Sequence, residues 1–269
     1  STGLPTKTEQ SDLNQAIFGR NGEAPLVVLS PATPADCFNI AYESCRIALK
    51  YMIPVILLSD GYIANGSEPW KVPNVSTLPE IDNQIIKDKQ GFAPFNHDNQ
   101  YLARPWALPG TPGLEHRVGG LEKWDSSGHV SYDPDNHQKM VELRQQKVDI
   151  IANDIPKCKI YGKGQGDLLV VGWGGTHGAI RSAVESAQSE GLSISHLHLR
   201  HLNPLPKDLG EILVKFQKVM IPELNLGQLA MIIRSKFLVD VISLCKVQGK
   251  PFTQTEVYHK ITELIKDMK

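Results

Sequence analysis

Cysteine is scarce in this chain and scattered. The four cysteines of the 269 residues stand at Cys37, Cys45, Cys158 and Cys245, and no two form a Cys-x-x-Cys pair. That excludes an iron–sulfur or zinc site built on this chain's own thiols. Cys37 and Cys45 fall on a predicted helix and read as small core residues, and isolated thiols fit a reducing cytoplasm. Long apolar runs are missing too. The longest, around Val55 to Leu58, has the length of a strand, far below the roughly 20 residues that span a bilayer. Net charge is also nearly absent, at −1 with a pI near 6.7. Nothing in that balance points to nucleic acid or to an anionic membrane surface. No signal peptide, internal repeat or low-complexity run is visible. What is present is ordinary globular material: 41 % hydrophobic and 21 % charged residues, enough to build a real core in one large domain or two ordinary ones.

The opening ten residues concentrate polar chemistry. Ser1, Thr2, Thr6 and Thr8 bring hydroxyls and Lys7 an ammonium, while Gly3 and Pro5 keep the backbone irregular. A helix is predicted over residues 9–18, with Leu13, Ala16 and Ile17 at helical spacing and Gly19 as a stop. A hydroxyl-rich loop running into a helix N-terminus is suited to hold an anion. The plainer reading makes Thr6 an N-cap with Glu9 as its capping-box partner, and the two readings are compatible.

Further along, residues 25–30 and 54–58 read as buried parallel strands flanking a helix that starts at Thr33-Pro34-Ala35-Asp36. Phe38, Ala41, Cys45, Ala48 and Met52 are its predicted apolar stripe. Ser59-Asp60-Gly61 follows the second strand at the end where open α/β sheets place ligands. Asp60-Gly61 is similar to the start of a thiamine-diphosphate metal motif, but Ser59 breaks that word and no Asn-Asn pair follows, so a turn closing a strand is the plain reading. Residues 68–130 are irregular and read as a connector. His97, His116 and His129 within it lack metal-ligand spacing. An amphipathic helix over 135–154 carries Met140, Leu143, Val148 and Ile151 on one face. A second α/β unit then runs from Asp167: strands 168–172, 194–199 and 219–222, with helices 179–190, 206–216, 226–236 and 254–268. On the middle strand His196 and His198 share one side, Leu197 and Leu199 the other.

The turn Gly172-Trp173-Gly174-Gly175-Thr176-His177-Gly178 invites a dinucleotide reading. His177 stands where the fingerprint needs glycine, and the second strand ends in Leu199-Arg200-His201 without the ribose-binding acid. An NAD-dependent dehydrogenase is therefore the weakest of three readings.

Several long, irregular words carry a resemblance. They are Ser1 to Gln10; Phe18-Gly19-Arg20-Asn21-Gly22-Glu23; Leu58-Ser59-Asp60-Gly61-Tyr62-Ile63-Ala64-Asn65-Gly66; Leu108-Pro109-Gly110-Thr111-Pro112-Gly113-Leu114-Glu115-His116-Arg117; Ser131-Tyr132-Asp133-Pro134; Val171-Gly172-Trp173-Gly174-Gly175-Thr176; Leu202-Asn203-Pro204-Leu205-Pro206; Pro222-Glu223-Leu224-Asn225-Leu226-Gly227-Gln228-Leu229; and Lys246-Val247-Gln248-Gly249-Lys250-Pro251-Phe252. In this order they resemble the alpha subunit of 2-oxoacid:ferredoxin oxidoreductases, the 2-oxoglutarate type in particular.

The resemblance implies an α/β chain of two parallel-sheet units. Residues 1–75 would be the C-terminal part of a thiamine-diphosphate pyrimidine-binding domain, 76–160 a connector with one helix, and 161–269 a transketolase C-terminal-like domain. The chain is expected to begin inside a larger subunit. The implied activity is oxidative decarboxylation of a 2-oxoacid to an acyl-CoA, with electrons passed to ferredoxin, inactive without partner subunits. Thiamine diphosphate with Mg would be shared with a beta subunit, which would also carry the iron–sulfur cluster. A second alpha-beta pair, ferredoxin, coenzyme A and the 2-oxoacid complete the expected partners, in the cytoplasm. No catalytic residue and no metal ligand is expected in this chain. The opening loop alone carries over, with Thr6 as the substrate contact and Thr2 and Lys7 beside it; a second carboxylate on the substrate needs such donors. The rival reading is a non-catalytic α/β docking module.

Overall fold

A computed structural model describes residue 4, residues 7–81, 83 and 85–268. Thr2 and Thr6 lie outside the described residues. The chain builds two sheets. In the first, β1 (Val27–Leu29) pairs in parallel with β2 (Val55–Leu57) and antiparallel with β6 (His201–Asn203). The second runs β3-β5-β4-β7-β8, from β3 (Ile160–Tyr161), β4 (Gly166–Trp173), β5 (Ile194–Leu199), β7 (Phe216–Glu223) and β8 (Ile242–Cys245). Its β5-β4-β7-β8 core is parallel and β3 is an antiparallel edge. The sheets are thus mixed rather than purely parallel. β6 belongs to the first sheet although it follows β5 directly, so the two units are stitched at residues 200–203.

The helices are α1 (Leu13–Phe18), α2 (Asp36–Tyr51), α3 (Gly61–Asn65), α4 (Pro134–Ile151), α5 (His177–Ser189), α6 (Leu209–Leu213), α7 (Gln228–Phe237) and α8 (Gln254–Lys266). Local chemistry explains several starts. Asp133 accepts from Asn136 N at the head of α4, with Pro134 at the first position. Thr253 and Glu256 close a reciprocal capping box on α8. Among the described residues, 66–131 hold one turn of 3-10 helix, Val75–Thr77, and isolated bridges such as Phe95–Ser126.

Four expectations need correction. The first helix starts at Leu13, not at residue 9, so a Thr6–Glu9 box cannot cap it. Thr8 N donates to Gly249 O at 3.0 Å and Gln10 N to Leu224 O at 3.1 Å, and these tertiary bonds tie the preceding backbone to the second unit. On α2 the buried face is Ile40, Ile47 and Tyr51, while Ala41 and Cys45 are exposed and Phe38, Cys37, Ala48 and Met52 half-buried. The larger residues face Val27 and Leu29 of β1, since burial gain scales with apolar area. The two cysteines are accordingly not core residues. The predicted helix over 206–216 shrinks to α6, because pairing with Gly166 draws Phe216 into β7. Strands β3, β6 and β8 were not legible as strands.

The largest core lies on one face of the second sheet, with Leu169, Val171, Leu197, Leu199, Val219 and Ile221 under α6 and α7. α5 and α8 cover the other face through Ile180, Val184, Val257 and Ile261. No helix among the described residues is long and apolar enough to cross a membrane.

Candidate functional site

Residues 7–10 bridge the two units. Gln10 is buried and binds the second unit on every side: its Nε2 donates to Trp173 O at 2.7 Å, its Oε1 accepts from Leu224 N at 2.9 Å, and its carbonyl accepts from Asn225 Nδ2 at 2.9 Å. Lys7, just upstream, places its Nζ 3.3 Å from Glu9. Its carbonyl oxygen lies 2.8 Å from the position a Cβ on Gly61 would take, so only glycine lets the loop after β2 approach this segment. Of the three expected substrate contacts, Lys7 is therefore beside the carboxyl end of β2. Thr6 and Thr2 fall on residues outside the description.

Asp60 is the hub of this seam. It is 6 % exposed, and its carboxylate accepts from Tyr62 N at 2.9 Å and Ile63 N at 3.1 Å, which caps α3. The other oxygen accepts from Gly175 N at 2.6 Å. A Cβ on Gly175 would sit 2.6 Å from both carboxylate oxygens, which explains the glycine. The glycine turn after β4 is an anion cradle, and the anion it holds is the chain's own Asp60. A pyrophosphate would have to displace that carboxylate, so the turn fastens the two units and does not offer a dinucleotide site. Sequence reasoning read Asp60 as a local turn residue and had no signal for its reach of 115 positions to Gly175.

Other bonds close the same seam. Arg200 holds Asp36, at the head of α2, through two bonds of 2.9 and 2.6 Å. Glu223, at the end of β7, is fully buried. It accepts from Leu229 N at 2.8 Å, Ala230 N at 3.0 Å, Asn225 Nδ2 at 3.1 Å and Trp173 Nε1 at 3.2 Å. Burial pushes this carboxyl up, and the four donors pull it back. The group anchors the start of α7 to β4.

Beside the seam His177, His196 and His198 form a cluster with ring centroids 4.8 to 5.7 Å apart. Burial holds His196 down to about 3 and His198 well below its ordinary value, with like-charge neighbours adding to both. The imidazoles are neutral at physiological pH. Among the described residues no group of His, Cys, Asp or Glu is arranged to hold a metal ion. His97 instead meets Asp125 at 3.2 Å, and His116 lies 2.9 Å from Leu114 O. The described residues thus do not fit the metal–diphosphate end of a thiamine cofactor: Asp60, the one acid of the similar word, already accepts three N–H bonds.

Comparison with known proteins agrees with this architecture. Residues 1–133 match the family described as pyruvate flavodoxin/ferredoxin oxidoreductase, thiamine diphosphate-binding. The chain is 54 % identical over 258 residues to the 2-oxoglutarate oxidoreductase subunit KorA of Mycobacterium tuberculosis, which covers 96 % of this chain and 39 % of that protein. It is 26 % identical over 267 residues to the 2-oxoglutarate synthase subunit KorA of Methanothermobacter marburgensis, covering 97 % and 70 % respectively. The fold superimposes with a TM-score of 0.90 and 31 % identity on the 2-oxoglutarate:ferredoxin oxidoreductase of Magnetococcus marinus, solved with 2-oxoglutarate, coenzyme A and succinyl-CoA bound; the match spans 98 % of this chain and 46 % of that one. The chain therefore spans less than half the length of the Mycobacterium and Magnetococcus proteins. By residue words, sequence identity and fold together, the chain is similar to alpha subunits of 2-oxoacid:ferredoxin oxidoreductases, those of the 2-oxoglutarate type in particular.

Proposed function

We propose that this chain forms part of the alpha subunit of a thiamine-diphosphate-dependent 2-oxoglutarate:ferredoxin oxidoreductase. The enzyme would decarboxylate 2-oxoglutarate oxidatively, transfer the acyl group to coenzyme A and pass the electrons to ferredoxin. The observation that carries this reading is the 54 % identity to a 2-oxoglutarate oxidoreductase subunit over 96 % of the chain. Thiamine diphosphate, when bound, supplies the carbanion chemistry. Its Mg and the iron–sulfur cluster would sit on a beta subunit, since this chain has neither a metal ligand set among its described residues nor paired cysteines. Exposed apolar side chains support a multi-subunit assembly, and a second alpha-beta pair is proposed as part of it. Tyr62, Trp70, Val72 and Val75 are 48 to 80 % exposed within one stretch, more than a lone soluble domain usually shows. A cytoplasmic setting fits the free thiols.

The chain would divide into 1–75, 76–160 and 161–269, with β6 as the strand that crosses that division. The opening loop is the proposed substrate-facing element. Thr6 would donate to the distal carboxylate of 2-oxoglutarate, with Thr2 and Lys7 in support. A docking module without catalysis would share these surfaces, and activity separates the two. The assembled alpha-beta complex should reduce a viologen dye only with 2-oxoglutarate, coenzyme A and thiamine diphosphate, and the chain alone should not. Reduction by the chain alone, or none by a folded complex, overturns the reading. In the complex, Thr6→Ala should lower kcat/KM for 2-oxoglutarate roughly 10- to 150-fold, pyruvate far less, and Thr6→Ser should retain both. Equal losses on both substrates would make Thr6 structural.

A further inference from the structure

One cavity has no part in the seam between the two units. Its volume is about 710 Å³, within the range of small-molecule sites. Four separate segments converge on it: the loop at residues 20–26, the turn at 52–54, the connector at 95–123 and one side of α4. Five cationic side chains line it, Arg20, Arg104, Lys123, Arg144 and Lys147, against Glu23 and Glu122.

Three of these cations have protein partners. Arg20 donates to Ile17 O at 3.0 Å and Ala24 O at 2.8 Å, closing the end of α1. Lys123 donates to Gly119 O at 2.6 Å and Leu121 O at 2.5 Å. Arg144 meets Glu122 at 3.4 Å.

Arg104 and Lys147 are different. Arg104 lies 4.1 Å over the Phe95 ring and donates one bond, to Pro94 O at 3.3 Å, with no carboxylate partner among the described residues. Lys147 is half-buried, and its ammonium has no hydrogen bond or ion pair among them. Burial pushes both below their ordinary range, and Arg104 adds to the effect on Lys147, which falls to about 8. Asp98 pulls Lys147 the other way, but its carboxylate is engaged by Gln100 N at 2.7 Å and by Tyr101 N. Two half-buried like charges without a counter-ion are unfavourable unless an anion joins them. Apart from His97, which meets Asp125, the rest of the wall is largely apolar, with Met52, Phe95, Leu102, Met140 and Leu143. Such a wall suits a ring or hydrocarbon body attached to the anion.

We propose that this pocket binds a small organic phosphate of nucleotide size, its phosphate between Arg104 and Lys147 and its body against Phe95, Leu102, Met140 and Leu143. The guanidinium supplies a fork for two phosphate oxygens and the ammonium a point charge for the third.

The test is calorimetric titration of the purified chain at low salt with ADP, inorganic phosphate and adenosine. ADP is expected to bind more tightly than inorganic phosphate, and adenosine to bind weakly or not at all. Arg104→Gln and Lys147→Met should each weaken ADP roughly tenfold or more, the effect of losing a hydrogen bond to a charged group. A second readout is chemical. Acylation of Lys147 near pH 8, followed by peptide mass, should be slowed by ADP. The proposal is overturned by absent ADP binding at ~10 mM, by ADP binding no tighter than phosphate, or by binding that both variants leave unchanged.

Discussion

The seam between the sheets and the basic pocket beside α4 both collect polar groups, but they treat them in opposite ways. In the seam the central acids are satisfied from within. Asp60 takes three backbone N–H bonds and Glu223 two backbone and two side-chain donors, all in buried surroundings. In the pocket, Arg104 and Lys147 line one cavity, and neither makes an ion pair with an acid among the described residues. A satisfied buried network rigidifies a fold. An unsatisfied charge pair lowers stability and is retained where a ligand or partner meets it. The glycine turn, which invited a dinucleotide reading, is therefore a fastening, and the cavity without a motif is the one that leaves its cations unanswered.

That contrast can be broken at the seam first. Glu223→Gln would turn an amide N–H₂ toward backbone donors that need an acceptor. It should cost about 3 kcal/mol in urea unfolding, the scale of leaving one or two buried donors unpaired. A loss below about 1 kcal/mol would mean that α7 does not depend on this anchor.

The histidine cluster gives the next effect. His196 is held at about 3 in the folded state against roughly 6.5 when unfolded. Its folded pKa is depressed, so between those values the unfolded state binds more protons, and stability falls as pH drops below about 6.5. His196 alone should contribute up to ~1.4 kcal/mol per pH unit in that window. Asp36 and Glu68 oppose protonation losses at His177, while Arg181 and Arg200 reinforce them across the cluster. The urea-unfolding free energy of His196→Gln should fall less steeply than wild type from pH 6.5 to 5. Parallel curves for the two proteins would remove His196 from the account.

Gly61→Ala should show the smallest loss, about 1 kcal/mol. Its new Cβ would press on Lys7 O from 2.8 Å. A thermal scan that leaves the midpoint unchanged would show that the opening segment moves aside freely.

Legibility followed the range of the interaction. The periodic elements β4, β5, α5 and α8 were readable because their apolar spacing and caps are local. The start of α1 was not, because Gln10 answers to Leu224, Trp173 and Asn225 more than 160 residues away. β6 was hidden for the same reason: three residues make a strand only when β1 is beside them. The face of α2 misled because it carries two apolar stripes and only β1 chooses between them. Of the site, the resemblance pointed to the opening loop and the residues pointed to Asp60 as a turn. The pocket at Arg104 and Lys147 left no sequence signal, since its cations lie 43 positions apart on the connector and α4.

The most direct measurement sets the two regions against each other in one urea-unfolding series, with Asp60→Ala and Lys147→Met beside wild type. Asp60→Ala strips an acceptor from Gly175, Tyr62 and Ile63 and should lower the unfolding free energy by about 3 kcal/mol or more. Lys147→Met should leave it unchanged or raise it by up to ~1 kcal/mol below pH 8, because the ammonium it removes is held low at about 8 and opposes folding while charged. The advantage should vanish as pH rises from about 8 toward 10.4, where wild type sheds that proton. A Lys147→Met loss as large as that of Asp60→Ala would contradict the account, because the pocket's cation would then be part of the fastening.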